Sequence, residues 1–254
     1  MTSHGTLYLV PNGLDVGTPD AGADLAERLP LGTLRLAARL SHWVCENAKT
    51  TRAFLKRVDA VCRLERPLQE IAIIELPRPP KGRPDAAAFE GGRLLAAAVA
   101  GSDVGLISEA GLPGVADPGA QLVAAAHAAG IRVVALPGAS SITLAVAASG
   151  LDGQSFAFVG YLPIEAEARA ARIRELEATS RRLAQTQVMI ETPYRNAALL
   201  GALLAQLQPA TMLSVSVGLT LAGESTRSDP IARWRAGPAT LPADVPAVFS
   251  ILAR

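Results

Sequence analysis

Two successive strand–turn–helix units constrain this chain more than any other feature. Asp103–Ile107 is a short apolar run that leads through Gly105–Gly119, GLISEAGLPGVADPG, into a small-residue helix. Ile131–Leu136 repeats the layout, entering Pro137–Ser141, PGASS, before a second small-residue helix. In open α/β sheets ligands sit outside the carboxyl ends of strands, where such turns gather. Glycine there lets the backbone approach a ligand with no Cβ in the way. The pair of turns predicts a pocket lined by main-chain groups, suited to a small cofactor with a purine and a ribose.

The rest of the first half extends the alternation. Strands are predicted at Thr6–Val10, His42–Glu46 and Ile71–Leu76. Helices are predicted at Asp24–Leu29, Leu34–Leu40, Ala48–Val61, Ala86–Ala100 and Ala120–Ala129. Strands separated by helices predict a mostly parallel sheet. After Gly138 strands are predicted at Phe156–Val159, Gln187–Ile190, Leu213–Gly218, near Glu224–Arg227 and at Ala247–Leu252. Helices are expected at Glu165–Ala184 and Asn196–Leu207. The late strands have little helix between them, which predicts a mixed sheet with antiparallel pairs. The fold class expected is α/β in two domains, 1–138 and 139–254.

At 254 residues with half of them hydrophobic, the chain has ample core for this. Val133–Leu151 carries no charge, but Pro137, Gly138, Ser140 and Ser141 interrupt it. A strand–turn–helix explains it better than a membrane span. The start has no basic region followed by a long apolar run, so no signal peptide is expected. Cys45 and Cys62 are the only cysteines, which fits a reducing, cytoplasmic setting without a disulfide framework. Leu76–Pro84, LPRPPKGRP, cannot form regular structure; it reads equally as a surface connector or as a lid.

Several chemistries are excluded. His4, His42 and His127 show no paired ligand spacing and the cysteines form no CxxC, so no metal site is expected. Ser140 stands in a turn before a helix, but Ile142 occupies the place of the second glycine of a nucleophile elbow. Gly114–Gly119 begins like a phosphate loop, but Ala120 stands where lysine is needed. Asp117 is expected to cap the helix that follows it, and Ser140 and Ser141 the helix through Ala148.

SEAGLPGVADPG, LPGASSITLAVAASGL, FAFVGYLP (Phe156–Pro163) and IETPYRN (Ile190–Asn196) come in this order. Together they resemble the tetrapyrrole methylase superfamily of S-adenosylmethionine-dependent methyltransferases. They are most similar to its ribosomal small-subunit RNA ribose 2′-O-methyltransferase branch. The resemblance implies a homodimer, with S-adenosylmethionine in the cleft between the two domains. It implies cofactor contacts from Pro11, Glu109, Ala110, Gly111, Val115, Ser140, Ser141, Ile190, Glu191, Tyr194, Pro246 and Ala247. The acceptor would be a ribose 2′-hydroxyl of ribosomal RNA. A tetrapyrrole macrocycle, or a cofactor-binding module without catalysis, are the alternatives. Methyl transfer from a sulfonium is an in-line displacement that relies on binding and orientation, and the chain shows no strong acid–base constellation. A valine at Gly111 is expected to block the cofactor and leave the fold intact.

The chain departs from the family on the substrate side. Pro11–Gly17, PNGLDVG, replaces a PTPIGN-type loop, and Glu46–Lys49, ENAK, with Thr50-Thr51-Arg52 replaces EDTR. A His-Asn-Glu motif has no counterpart, and the extra C-terminal domain of longer members is not expected after Arg254. Charge still points to RNA. Net charge is only +1, yet residues 49–83 hold nine Lys or Arg against four acids. Lys49, Arg52 and Lys56 share one helical face. That face is either simply solvated or a phosphate-contact surface. With Arg195 it forms the expected substrate side.

Overall fold

The computed structural model describes residues 4–14, 24–77, 90–237 and 239–254. Parts of three expectations lie outside these residues: Asp15–Gly17 of the first loop, Arg78–Pro84 of the proline-rich loop with its cations Arg78, Lys81 and Arg83, and the start of the helix expected at Ala86. The chain divides into two compact units, Met1–Ala139 and Ser140–Arg254.

The first unit is built on five parallel strands in the order β3-β2-β4-β1-β5. They are β1 (Thr6–Leu9), β2 (His42–Cys45), β3 (Ala72–Glu75), β4 (Val104–Ile107) and β5 (Arg132–Ala135). Its helices are α1 (Leu31–Arg39), α2 (Ala48–Val61), α3 (Gly91–Leu94), α4 (Ala96–Val99) and α5 (Ala120–Ala128). Every residue of β4 is buried, as a central strand covered on both faces requires. Alternation sorts the side chains between two cores. Trp43, Cys45 and Ile107 pack with Leu34, Phe54, Leu55 and Val58 on one face. Val44 and Leu106 pack with Leu94, Leu122 and Ala126 on the other. Gly105 makes room for this arrangement, because a Cβ there would lie 2.8 Å from the Trp43 ring.

Two helices differ from expectation. Asp24–Leu29 forms only a 3-10 turn, Leu25–Glu27, since Pro30 interrupts before α1 can begin. The described part of the Ala86–Ala100 segment is two single turns, α3 and α4, broken at Leu95.

The second unit holds β6 (Phe156–Tyr161), β7 (Thr186–Glu191), β8 (Met212–Val217), β9 (Ser225–Pro230) and β10 (Ala247–Leu252). Their order is β6-β7-β10-β8-β9, with β6 parallel to β7 and the other pairs antiparallel. β10 sits in the middle and is buried throughout. α7 (Ala166–Leu183) and α8 (Asn196–Gln206) contribute Ile173, Leu176, Leu199 and Leu203 to a core with Met189, Phe249 and Ile251. α6 (Ser141–Ser149) packs Ile142, Ala145 and Val146 against Val188 and Val248. A short helix, α9 (Ile231–Ala236), was not anticipated; Trp234 anchors it, donating from Nε1 to the Leu213 carbonyl at 2.9 Å. Among the described residues no helix is long and apolar enough to cross a membrane.

Candidate functional site

In a parallel sheet all carboxyl ends lie along one edge, and in the first unit the loops after β1, β4 and β5 meet there. β1 lies between β4 and β5. The link between the first two loops is Asn12, which is 3% exposed. Its backbone pairs with Gly111, N–H to carbonyl at 2.9 Å and carbonyl from N–H at 3.2 Å. Its Nδ2 donates to the carbonyls of Ser108 (3.2 Å) and Glu109 (3.0 Å), and its Oδ1 accepts from Gly13 N–H (2.9 Å). Gly111 adopts φ +69°, a left-handed conformation that glycine reaches at no steric cost. The third loop joins through Gly138, where a Cβ would fall 2.3 Å from Pro11 Cγ, and through Thr33, whose hydroxyl donates to the Pro137 carbonyl at 2.8 Å. The structure thus brings Pro11, Glu109, Ala110 and Gly111 together.

Asp117 is not the cap of α5, which is Gly119. Its carboxylate instead accepts from the N–H groups of Gly114 (2.8 Å) and Gly119 (2.7 Å), closing the turn that carries the exposed Val115. Burial pushes its pKa up, and the N–H groups of Gly114 and Gly119 oppose the shift.

Glu109 ties its loop to α2. Its Oε1 accepts from the Thr50 hydroxyl at 2.6 Å, and its N–H donates to Glu46 Oε2 at 3.2 Å. Asn47 caps α2 by accepting from Lys49 N–H, and Glu75 Oε1 accepts from Ala48 N–H at 2.7 Å. Acidic groups are favoured at a helix N-terminus, where free N–H groups and the dipole are positive. The motif ENAKTTR therefore builds a capped helix start against the glycine turn. Burial raises the Cys45 thiol pKa here, with Glu75 and Glu109 adding to the shift. Lys49, Arg52 and Lys56 are exposed on α2, opposite buried Thr51, Phe54, Leu55 and Val58.

In the second unit, Ile190 and Glu191 end β7 and Ala247 begins β10. Ala247 pairs with Glu191 on one side and Val217 on the other. Pro246 accepts from Gly218 N–H at 2.9 Å, and Tyr161 is in register with Ile190. Ile190, Glu191, Pro246 and Ala247 therefore share one edge of this sheet. Glu191 is buried, with Oε2 2.7 Å from Arg195 Nη2 and Oε1 accepting from Thr192 N–H at 2.8 Å. Tyr194 stands 74% exposed in a 3-10 turn. Burial and then the Glu191 charge raise the Tyr161 pKa. Ser140 is the N-cap residue of α6 but makes no side-chain cap bond. Thr143, Val146 and Ala147 of α6 border a cavity with Phe156 at the start of β6.

A cavity of about 830 Å³ opens elsewhere, among Asp152, Arg181, Met212, Leu252 and Arg254 at the opposite edge of this sheet, and includes none of the expected site residues. Among the described residues no cluster of His, Cys, Asp and Glu could hold a metal ion.

Sequence reasoning missed Asn12, Thr50 and Asn196. Asn196 is 1% exposed and holds the segment before β10 through Nδ2 to the Val245 carbonyl at 3.0 Å. An asparagine after a strand or at a helix start was the available signal; its partner lay far along the chain. The expectation that Gly111→Val leaves the fold intact meets a strained turn: at φ +69°, with a Cβ 3.3 Å from the Leu14 side chain, valine carries a backbone penalty of its own.

The family model of tetrapyrrole (corrin/porphyrin) methylases matches residues 22–233. Among curated relatives, ribosomal RNA small subunit methyltransferase I of Pseudomonas aeruginosa is 42% identical over 106 residues, 42% of this chain and 36% of that protein. The protein of the same name from Halalkalibacterium halodurans is 29% identical over 191 residues, 75% of this chain and 56% of its own. The chain spans about half the length of the curated relatives it matches. Among solved structures, uroporphyrin-III-C-methyltransferase from Thermus thermophilus aligns with TM-score 0.51 at 23% identity, covering 98% of this chain and 92% of that one. A conserved hypothetical protein from Aeropyrum pernix K1 aligns with TM-score 0.59 at 19% identity, covering 99% and 86%. These structural likenesses show the fold.

Proposed function

The chain belongs to the tetrapyrrole (corrin/porphyrin) methylase family, and from that premise we propose that it is an S-adenosylmethionine-dependent methyltransferase acting on a ribose 2′-hydroxyl of ribosomal RNA. One observation carries the reading: the loops after β1, β4 and β5 converge on a rim of main-chain groups and small residues, pinned by Asn12 and Gly111. Such a rim suits a nucleoside-bearing cofactor, because it offers close backbone approach and hydrogen-bonding groups without bulk. The curated relatives, which carry a small-subunit ribosomal RNA methyltransferase name, support the choice of acceptor.

When bound, S-adenosylmethionine supplies a methyl group activated on a sulfonium. The chain's own work is to bind, orient and exclude water. The residues proposed for cofactor contact, as the family resemblance implies, are Pro11, Glu109, Ala110, Gly111, Val115, Ser140, Ser141, Ile190, Glu191, Tyr194, Pro246 and Ala247. With its carboxylate held by Arg195 and Thr192, Glu191 acts through its main chain. Arg195 shares its charge with Glu191, so the cationic face for RNA phosphates is Lys49, Arg52 and Lys56 on α2. We further propose a homodimer, as the resemblance implies, in the cytoplasm, in keeping with a chain of two cysteines, Cys45 and Cys62.

The test has two arms. Calorimetry with S-adenosylhomocysteine should give micromolar-range binding, on the order of −8 kcal/mol. Labelled cofactor should transfer methyl to total RNA from a strain lacking this protein. A folded protein that gives no heat would overturn the cofactor assignment. Binding without transfer to RNA would move the macrocycle or the non-catalytic reading ahead.

A further inference from the structure

The connection after α2 holds cations that the fold does not use. The charged residues Lys56, Asp59, Arg63, Glu65 and Arg66 lie around a cavity of about 450 Å³. Both carboxylates are already engaged. Asp59 Oδ1 accepts from Leu64 N–H at 2.8 Å, and Glu65 Oε1 lies 3.6 Å from Arg39 Nε on α1. The cations of the cavity are not engaged. Lys56, Arg63 and Arg66 are exposed, and their side chains make no hydrogen bond or ion pair among the described residues. With Arg39, four cations thus face two carboxylates. The C-terminal dipole of α2 balances only about half a charge. The excess is left for an anion from outside the chain.

The backbone that carries these arginines is held in place. Cys62 N–H donates to the Val58 carbonyl at 2.7 Å, Glu65 N–H to the Ala38 carbonyl at 3.0 Å and Glu70 N–H to the Pro67 carbonyl at 2.9 Å. Donors on a fixed backbone lose less freedom on binding. Arginine also presents a planar fork of N–H groups that suits a phosphate.

The place of the cavity narrows the ligand. β2 and β3 are parallel, so α2 starts at the carboxyl edge of the sheet, where Thr50 meets the glycine turn, and ends at the opposite edge. At about 1.5 Å per residue, the 14 residues of α2 put the cavity a full helix length from the rim. Lys49, Arg52 and Lys56 are exposed along that length, and Lys56 belongs to the cavity as well. The cations therefore form a track from the rim to the cavity. A macrocycle has to sit at the rim to be methylated and gains nothing from arginines a helix length away. A nucleic-acid backbone carries phosphates all along such a track and meets both ends at once.

We propose that this cavity is a remote RNA subsite, in which Arg63 and Arg66 hold a backbone phosphate of the acceptor RNA a helix length from the methylated ribose; this rests on the RNA reading above. Such a contact positions the RNA without reading its sequence. The double variant Arg63→Gln, Arg66→Gln tests it. Arg132→Gln on β5, also exposed and with no side-chain partner among the described residues, controls for net charge. In titrations with a fluorescein-labelled RNA hairpin, the double variant should lower the log–log salt slope by roughly 0.7–0.9 for each phosphate lost. With total RNA from a strain lacking this protein as acceptor, the half-saturating RNA concentration should rise roughly tenfold, the loss of one charge-assisted contact. The maximal rate should stay unchanged, because the contact is equally strong before and during transfer. Affinity for S-adenosylhomocysteine should also stay unchanged, and Arg132→Gln should behave as the parent does. If the parent methylates RNA and the double variant matches it in slope and half-saturation, the subsite is refuted and the RNA reading stands. If Arg132→Gln lowers the slope as much for each charge removed, net charge is the cause and the subsite is refuted. If the parent binds S-adenosylhomocysteine but methylates no RNA, the acceptor reading falls and the subsite with it.

Discussion

Asn12 shows how much one side chain can decide. Every polar group it has is used, and through them the turn after β1 holds the turn after β4. Asn12→Asp keeps the shape but turns two N–H donors into acceptors facing the carbonyls of Ser108 and Glu109. We expect it to cost about 1–3 kcal/mol of stability and to weaken S-adenosylhomocysteine binding. A denaturant titration beside calorimetry checks both, and parental affinity would show that Asn12 serves the fold alone. Asp117 makes a prediction about pH. Its folded pKa is raised above the ordinary 3.8, so its charged form is the one the native state disfavours. The native state then binds more protons than the unfolded chain between 3.8 and the raised value. This group's contribution to stability therefore grows as pH falls through that window, and its penalty is fully present above it. Asp117→Asn should flatten that part of the stability–pH curve; a curve identical to the parent's would remove Asp117 as its cause. Gly111 was legible as a glycine that matters, but the reason was not. Its left-handed φ is a property of the turn, so a bulky replacement reports on strain as much as on the pocket.

Elements were easier to read than their partners. α2 and β10 fall where the pattern of apolar residues put them, because a stripe of Thr51, Phe54, Leu55 and Val58 at helical spacing has one stable way to be buried. α9 was missed because it is a single short stretch held by Trp234 rather than by a pattern. β9, Ser225–Pro230, is polar and becomes a strand through pairing with β8, so its limits were set by a neighbour. On α2 the exposed face makes a salt prediction. Changing Lys49, Arg52 and Lys56 together to Gln should weaken RNA binding and reduce the log–log salt slope by roughly 0.7–0.9 for each phosphate no longer neutralised. Cofactor affinity should stay unchanged, since none of the three side chains is bonded to the glycine turns. An unaltered slope in a binding titration would mean that the face is only solvated.

For the whole molecule, the two tryptophans divide neatly: Trp43 is buried in the first unit and Trp234 in the second. Phe249→Ala removes a fully buried ring from the core around Trp234 and should cost about 3–5 kcal/mol. Made in a Trp43→Phe background, it should lower the midpoint read by Trp234 fluorescence; an unmoved midpoint would mean that Phe249 is not the core residue it is taken to be. Periodicity and turn chemistry are local, and so the sequence by itself determined the strands, the longer helices and the glycine turns. Neighbourhood is not local. That β1 lies between β4 and β5, that the last strand fills the centre of its sheet, and that Asn12 reaches Ser108 across 96 positions were decided only by the tertiary structure. The physical reason is that strand order follows from burying all apolar faces at once, and a buried amide takes whichever carbonyls that packing leaves within reach.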